Sequence, residues 1–363
     1  MTVVHLVPAM EQGGVESVVC DLNRAAAAAG WRSVVISKGG RLAERIAADG
    51  GRHVAMDIKS KNPLTYFSRA MKLRRKLREI ASEDNRLLVC AHSRVPAWLF
   101  VWANRSLNLP WITYAHGANS VSRYSAVMTR GDIVVAPSHF LAGFLLENYG
   151  GEHGDISLAS RLRVVSPCVD LERFDPEKVD RAFVDEKRRE WGIEPGTFVT
   201  MSVGRITPVK GFANAIRDFA SSARPQGRLV IVGGADRRHE GHLEELKALA
   251  AELGVGDRVV FAGAQSKIPE CLSIADEVVS GNMEKPESFG LSVVEALAME
   301  RPVRLLRSFG GAAEILDAVA GKAGGSRAAV RELYGFDAMS AKTLKVYSDA
   351  LRRRRGFDII CGR

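Results

Sequence analysis

The sequence predicts an α/β protein built as two doubly wound domains that face each other across a cleft. Three observations carry this. Short β-branched apolar runs recur along the chain, each followed by a stretch of helical periodicity, as in parallel sheets covered on both faces. This alternation breaks once, near the middle. The 363 residues are many for one domain and enough for two, each with its own core.

In chain order, the first half places strands at 3–7, 33–36, 87–90, 112–115, 133–136 and 164–165, with helices at 14–29, 64–81 and 139–149. The break, 170–196, is polar, charged and Pro-containing, and reads as a connection carrying a short helix. The second half resumes with strands at 198–203, 229–232, 259–262, 278–279 and 303–306, and helices at 211–223, 240–253 and 290–300. The expected organisation is a first doubly wound domain over 1–170, a linker over 171–196 and a second doubly wound domain over 197–335. A C-terminal helix and tail over 336–363 would pack back on the first domain.

Bulk properties narrow the class. With 46% hydrophobic and 26% charged residues the chain is neither disordered nor fibrous. The opening MTVVHLVPAM reads as a strand, not a secretory signal. No run of apolar residues is long enough to span a bilayer. Five scattered cysteines, with no C-x-x-C, argue against a disulfide framework or zinc site and fit a reducing cytoplasm. A net charge of +9 suits anionic partners: phosphates, nucleic acid or an acidic membrane face.

Four motifs carry chemistry. GRITPVKG, residues 204–211, follows a strand and precedes a helix. Its glycines allow a tight turn, and Arg205 and Lys210 then project toward the strand end, where either a solvated loop or a bound diphosphate would meet them. PESFGLSVVE, residues 286–295, sets Glu287 and Glu295 eight residues apart, with Val293, Val294, Leu297 and Ala298 as the buried helix face. Along a helix that spacing spans roughly 12 Å; taken alone it reads first as two exposed glutamates on an ordinary helix, and beside that as a fit to a ligand with hydroxyls at both ends and a diphosphate at the helix N-terminus. Gln12-Gly13-Gly14 resembles a phosphate-binding turn but lacks a strict G-x-G-x-x-G, so a simple tight turn stands beside it. Most of the eight histidines read as surface or satisfied core residues; His116 and His92 differ in that each ends a predicted strand, and His116, before Gly117, would point into the cleft.

Taken in order along nearly the whole chain, these elements resemble retaining glycosyltransferases of family 4, which have the GT-B fold of two Rossmann-like domains. The resemblance rests on Gln12-Gly13-Gly14, Ala115-His116-Gly117, Ala136-Pro137-Ser138, and Val169-Asp170 with Phe174. It continues through Gly204-Arg205 with Lys210-Gly211, Glu287 with Glu295, Pro302-Val303, and Gly310-Gly311 with Glu314. It implies that 1–170 is the acceptor-side domain and 197–335 the nucleotide-sugar-binding domain, where Arg205 and Lys210 hold the donor diphosphate without a metal. It implies that Glu287 contacts the transferred sugar, and that the backbone of Phe289, Gly290 and Leu291 lies near sugar and phosphate. Glu295 would bind the ribose, His116 would contact the sugar from the other domain, and Gly13 and Gly14 would lie near phosphate and acceptor. The catalytic set is then His116, Arg205, Lys210 and Glu287, with no metal and no cofactor. The reaction would move a hexose from a UDP-hexose or GDP-mannose to a lipid-linked or lipopolysaccharide-core saccharide with retention.

Three departures stand out. The stretch after Glu314 is short, Glu300 stands where the family usually has Gly, and the tail RRRRGFDIICGR has no counterpart. His239-Glu240-Gly241-His242 is not H-E-x-x-H and reads as a surface loop and helix start. Residues 69–78 hold six basic side chains, with Phe67, Ala70, Leu73, Leu77 and Ile80 on one face. Two readings stand: a solvated basic side, or a surface for the anionic inner leaflet through Arg69, Lys72, Arg74, Arg75, Lys76 and Arg78. The latter would make the enzyme cytoplasmic and peripheral on the inner membrane face. The rivals are another GT-B nucleotide-sugar enzyme with a soluble acceptor, a nicotinamide-dependent dehydrogenase, which lacks its glycine fingerprint here, and a degenerate transferase acting as a binding module. Nucleic acid is not an expected partner.

Overall fold

The computed structural model describes residues 1–11, 13–150, 158–222, 224–235, 240–282 and 286–360. They form two compact units, Met1–Cys168 with Phe336–Arg363, and Val169–Gly335.

The first unit runs β1 (Thr2–Leu6), α1 (Gly14–Ala28), β2 (Arg32–Ser37), α2 (Ala43–Ala48), β3 (Arg52–Ala55), α3 (Tyr66–Glu83), β4 (Leu87–Ala91), α4 (Arg94–Asn104), β5 (Trp111–Tyr114), β6 (Ile133–Ala136), α5 (His139–Tyr149), α6 (Leu158–Arg161) and β7 (Leu162–Val164). Its seven strands are parallel in the order β3-β2-β1-β4-β5-β6-β7. Successive side chains of a strand leave opposite faces. So Val3, Leu88 and Cys90 pack with Leu22 and Ala25 of α1, while Val4 and Val89 pack with Leu73, Leu77 and Ile80 of α3 and Phe100 of α4. Each fully buried side chain of this size contributes roughly 1.5–3 kcal/mol.

The sequence pattern missed four elements here, among them the one-turn α6. β3 is short and only partly buried, so it lacks a continuous apolar run. The six-residue α2 buries only Ile46, too little for a periodic signal. α4, RVPAWLFVWAN, is apolar nearly all round and carries Pro96 in its first turn, where the missing N–H has no intrahelical partner to lose.

Helix α3 also corrects two expectations. Ala70, Leu73, Leu77 and Ile80 are buried, but Phe67 is 62% exposed, with its ring edge-on to Trp102 at 6.3 Å between centres. One turn earlier than Ala70, it lies beyond the edge of the core. Arg69 is buried and donates to the carbonyls of Ser60, Asn62 and Thr65. It pins the loop that leads into the helix and does not face solvent.

The second unit contains α7 (Arg181–Glu190), β8 (Val199–Val203), α8 (Phe212–Ser221), β9 (Arg228–Val232), α9 (Glu240–Glu252), β10 (Val259–Gly263), α10 (Ile268–Ile274), β11 (Glu277–Ser280), α11 (Leu291–Ala298), β12 (Val303–Leu305), α12 (Gly311–Ala320) and α13 (Ser326–Tyr334). Its five strands are parallel in the order β10-β9-β8-β11-β12. The segment read as a linker is built into this unit. Phe174, Val179, Val184, Trp191 and Ile193 lie in its core beside Val199, Met201 and Leu272. Its charge hides widely spaced apolar anchors, which a composition-based reading takes for a connection. α10, α12 and α13 went unpredicted as well. α13 uses the short stretch after Glu314, burying Ala329, Val330 and Tyr334.

The last helix, α14 (Phe336–Ile360), returns to the first unit. Met339, Val346, Tyr347 and Ala350 complete the core layer around Val3 and Leu88.

Candidate active site

In open parallel sheets, ligands bind beyond the carboxyl ends of the strands, where the strand order reverses. In the second unit that reversal lies between β8 and β11. The loop after β8 is 204–211 and the loop after β11 begins at Gly281, so both motifs of this half meet at one point. Their backbones touch: a Cβ on Gly211 would lie 2.1 Å from the carbonyl oxygen of Gly281, and Gly211 itself has φ of 65°. Only glycine satisfies both conditions. The Asn214 amide donates to the same carbonyl at 3.0 Å.

This approach brings Lys210 against Glu287, and the two form an ion pair. The Glu287 carboxylate is nearly buried, with its side chain 11% exposed, and the Glu287 carbonyl accepts from Gly311 N at 2.9 Å, tying the loop to the start of α12. Gly290, with φ of 106°, turns the chain into α11. Phe289 is buried beneath, edge-on to Tyr334 at 5.6 Å.

The helical span expected between the two glutamates does not exist. α11 starts at Leu291, so Glu287 lies in the preceding loop and only Glu295 is helical. The positive φ at Gly290 breaks the rise assumed for all eight residues. Val293, Val294, Leu297 and Ala298 are buried as the pattern predicts. Burial pushes the Glu295 carboxyl up to about 7, against the opposing pull of Arg173 and Lys210. Lys210 thus acts on both carboxylates. Arg205 is exposed on the same loop and makes no ion pair among the described residues.

Two residues of this site escaped the sequence reading. Arg173 acts on Glu295 while its guanidinium donates to the Ser266 carbonyl at 3.2 Å. It sits beside Phe174 in the matched block, but nothing in its spacing to Glu295 signals contact. Asn282 is buried, and neither amide atom has a hydrogen-bond partner among the described residues. Its place directly after Gly281 was the available signal.

In the first unit the strand order reverses between β1 and β4. Gly13 caps α1 in extended conformation, and Gly14 is its first residue. The Glu16 carboxylate folds back over Gly13. Gln12 lies outside the described residues, as does His239 of the rejected zinc motif. Among the described residues no cluster of three potential metal ligands occurs.

His116 and His92 both stand at strand ends, and the structure adds a third ring. His5 Nδ1 lies 3.0 Å from His92 Nε2, and His92 Nδ1 lies 3.0 Å from His116 Nε2. Burial lowers all three: His5 to about 3, His116 to about 4 and His92 well below its usual value. The Tyr114 ring stacks on His92 with centres 4.7 Å apart. His116 also lines a small apolar cavity with Val18, Leu22, Val135 and Met339.

Residues 12–173 match the family described as Glycosyltransferase Family 4, and residues 183–324 match the family described as Glycosyl transferases group 1. Both halves of the chain therefore carry glycosyltransferase-family domains. A D-inositol 3-phosphate glycosyltransferase of Acidothermus cellulolyticus is 34% identical over 203 residues, covering 54% of this chain and 42% of that protein. The chain thus spans less than half the length of this curated relative. A glycosyltransferase from Rickettsia africae superposes with a TM-score of 0.75 at 24% identity, covering 99% of this chain and 97% of its own. HepE of Anabaena, crystallised with UDP and glucose, superposes with a TM-score of 0.72 at 19% identity, covering 97% and 95%. These superpositions establish the fold: two parallel-sheet Rossmann-like domains of the GT-B kind.

Proposed function

We propose that this chain, with a glycosyltransferase-family domain in each half, transfers a hexose from a nucleotide-diphosphate sugar with retention of anomeric configuration and without a metal. The observation that carries the reading is the cluster at the reversal point of the second sheet. There two loops in backbone contact bring Lys210 against Glu287, with Glu295 on the helix that follows and Arg205 exposed beside them. A nucleotide-diphosphate sugar has hydroxyls at both ends and two anionic phosphates between. On this reading Lys210 and Arg205 neutralise the diphosphate, and the backbone of Phe289, Gly290 and Leu291 approaches it. Glu287 accepts from the sugar hydroxyls, Glu295 binds the ribose, and His116 contacts the sugar. Gly13 and Gly14 sit near phosphate and acceptor.

The chemistry follows from that placement. The bond between the anomeric carbon and the donor phosphate oxygen breaks, and the acceptor oxygen bonds to the same face of the carbon. The acceptor proton passes to the departing phosphate oxygen. The protein's main contribution is electrostatic: preorganised cations stabilise the charge that grows on the leaving diphosphate. Among described residues the site presents one ion-paired and one proton-favouring carboxylate, rather than the acid and nucleophile pair of glycoside hydrolysis. The UDP and glucose held by HepE favour a UDP-hexose as donor.

For the acceptor we propose a lipid-linked saccharide met at the inner membrane face. No helix among the described residues is long and apolar enough to cross a membrane. Support comes from the start of α3, where Leu64 is 90% exposed and Phe67 and Met71 are exposed beside the solvent-facing Lys72, Arg75 and Arg78. Apolar side chains ringed by cations suit an anionic lipid surface. A second reading, a soluble phosphorylated polyol as acceptor, is favoured by the activity in the name of the Acidothermus relative.

The test supplies UDP-hexoses and GDP-mannose with either a detergent-solubilised lipid-linked saccharide or inositol phosphate, without metal, and reads the product by NMR. An α-linked product from an α-linked donor supports the proposal, and the productive acceptor selects between the two readings. A product of inverted configuration, or transfer to neither acceptor, contradicts it.

A further inference from the structure

Three histidines joined ring to ring have no place in the mechanism above beyond His116 itself. His5 comes from β1, His92 follows β4 and His116 follows β5, neighbouring strands at the reversal point of the first sheet. The rings of His92 and His116 lie 21° from parallel with centres 5.3 Å apart, and their nitrogens meet at 3.0 Å. That separation is a hydrogen bond between ring edges, not a face-to-face contact.

The proton count makes the chain directional. Each ring is neutral, because burial disfavours its charged form. A neutral imidazole has one N–H and one bare nitrogen. His92 uses both nitrogens, so it donates through one and accepts through the other. The two bonds must therefore run the same way, and only two arrangements exist. In one, His5 donates to His92 and His92 donates to His116. In the other, every bond is reversed.

The outer nitrogen of His5 decides between them. His5 Nε2 is buried and has no hydrogen-bond partner among the described residues. If the chain ran from His116 to His5, this atom would carry an orphaned N–H. If it runs from His5 to His116, the atom is only an unused lone pair. Buried orphan donors are the rarer and costlier defect.

We propose that His5 and His92 are positioning residues that fix His116 in its Nδ1–H tautomer, so that it offers the transferred sugar a neutral hydrogen-bond donor and no basic nitrogen. Calling the recipient a sugar rests on the proposed function; the tautomer does not. His116 Nε2 is occupied as an acceptor from His92, and the remaining proton sits on the nitrogen the chain does not use. His116 is then no general base: its role is to donate to a sugar hydroxyl or to the charge developing beside it. Tyr114, stacked on His92, holds the middle ring in plane.

The tautomer is read directly from long-range proton–nitrogen NMR spectra of the full chain labelled with 15N-histidine, His116 being assigned as the spin system lost in His116→Asn. The wild type is expected to show His116 Nδ1 as the protonated nitrogen and Nε2 as the bare one. His92→Phe keeps a ring against Tyr114 but removes both nitrogens, and should shift both His116 nitrogens toward averaged values. His92→Asn, whose amide replaces the Nδ1 donor, should restore the wild-type pattern. A wild-type His116 protonated on Nε2, or signals unchanged in His92→Phe, overturns the proposal. Should His92→Phe fail to fold, the wild-type spectrum alone decides. Because the readout needs no substrate, its failure is distinct from failure to find glycosyl transfer.

Discussion

Lys210 is the residue on which most of the site's electrostatics converges. It pairs with Glu287 and acts on Glu295. Replacing Lys210 with Ala removes a charge-assisted contact to the diphosphate, worth about 1.5–3 kcal/mol, so nucleoside diphosphate affinity should fall roughly 10–100-fold. Titration calorimetry checks this, and Arg205→Ala should show a smaller loss because that side chain is exposed. Glu295 gives a pH signature. Its native pKa of about 7 exceeds the ordinary 4.5, so between those values the native state keeps a proton that the unfolded chain has released. The resulting stabilisation is complete below about pH 4.5 and is lost as pH rises through 7. Glu295→Gln should remove that slope, making the variant about 1–3 kcal/mol more stable relative to wild type at pH 8 than at pH 5. Urea unfolding at the two pH values measures it. At this scale the sequence supplied the identity of Lys210, Glu287, Glu295 and His116 as candidates, because motif spacing survives in one dimension. It supplied neither Arg173 nor the His5 contact. Both arise from strands and loops distant in sequence, and no local pattern encodes them.

At the scale of elements, α11 ends in a way that its sequence does not favour. Arg301 N bonds the Ala296 carbonyl at 2.9 Å and Glu300 N bonds the Leu297 carbonyl at 3.1 Å. Those two bonds make a Schellman cap, and Glu300 is held at φ of 57° to close it. A non-glycine residue in the left-handed region carries a cost of roughly 1–2 kcal/mol. Glu300→Gly should therefore raise stability by about 1 kcal/mol, a Tm increase of roughly 2–4 °C by scanning calorimetry. The departure visible in the sequence thus has a backbone consequence and leaves the donor loops intact. On α3, Lys72, Arg75 and Arg78 are the exposed cations, whereas Arg69 is buried and Lys76 is half-buried; Arg75 and Lys76 both pair with Glu79. Reversing those three to Glu should weaken co-sedimentation with phosphatidylserine vesicles at least 100-fold, at about 1 kcal/mol per basic residue. Unchanged co-sedimentation would remove the membrane reading of this helix. The sheet strands were legible because parallel strands buried on both faces are continuous apolar runs. α4 was not, since it is apolar nearly all round, whereas α7 is the short helix expected within 170–196.

At the scale of the whole molecule, the chain order of motifs is what made the architecture readable: a loop after each sheet's central strand, and a single interruption between the halves. What composition misjudged was the interruption itself, because a polar segment can still be anchored by Phe174, Trp191 and Ile193. On the proposed function, the reversal point of the second sheet is a nucleotide-diphosphate site built around Lys210. The direct measurement is calorimetric titration of UDP, GDP and ADP, without added metal, into the wild-type chain and Lys210→Ala. Wild type should bind one nucleotide selectively, with affinity weakened roughly 10–100-fold in the variant. Binding of none of the three, or equal affinity in both proteins, would contradict it and point to a fold that has kept its form without its donor site.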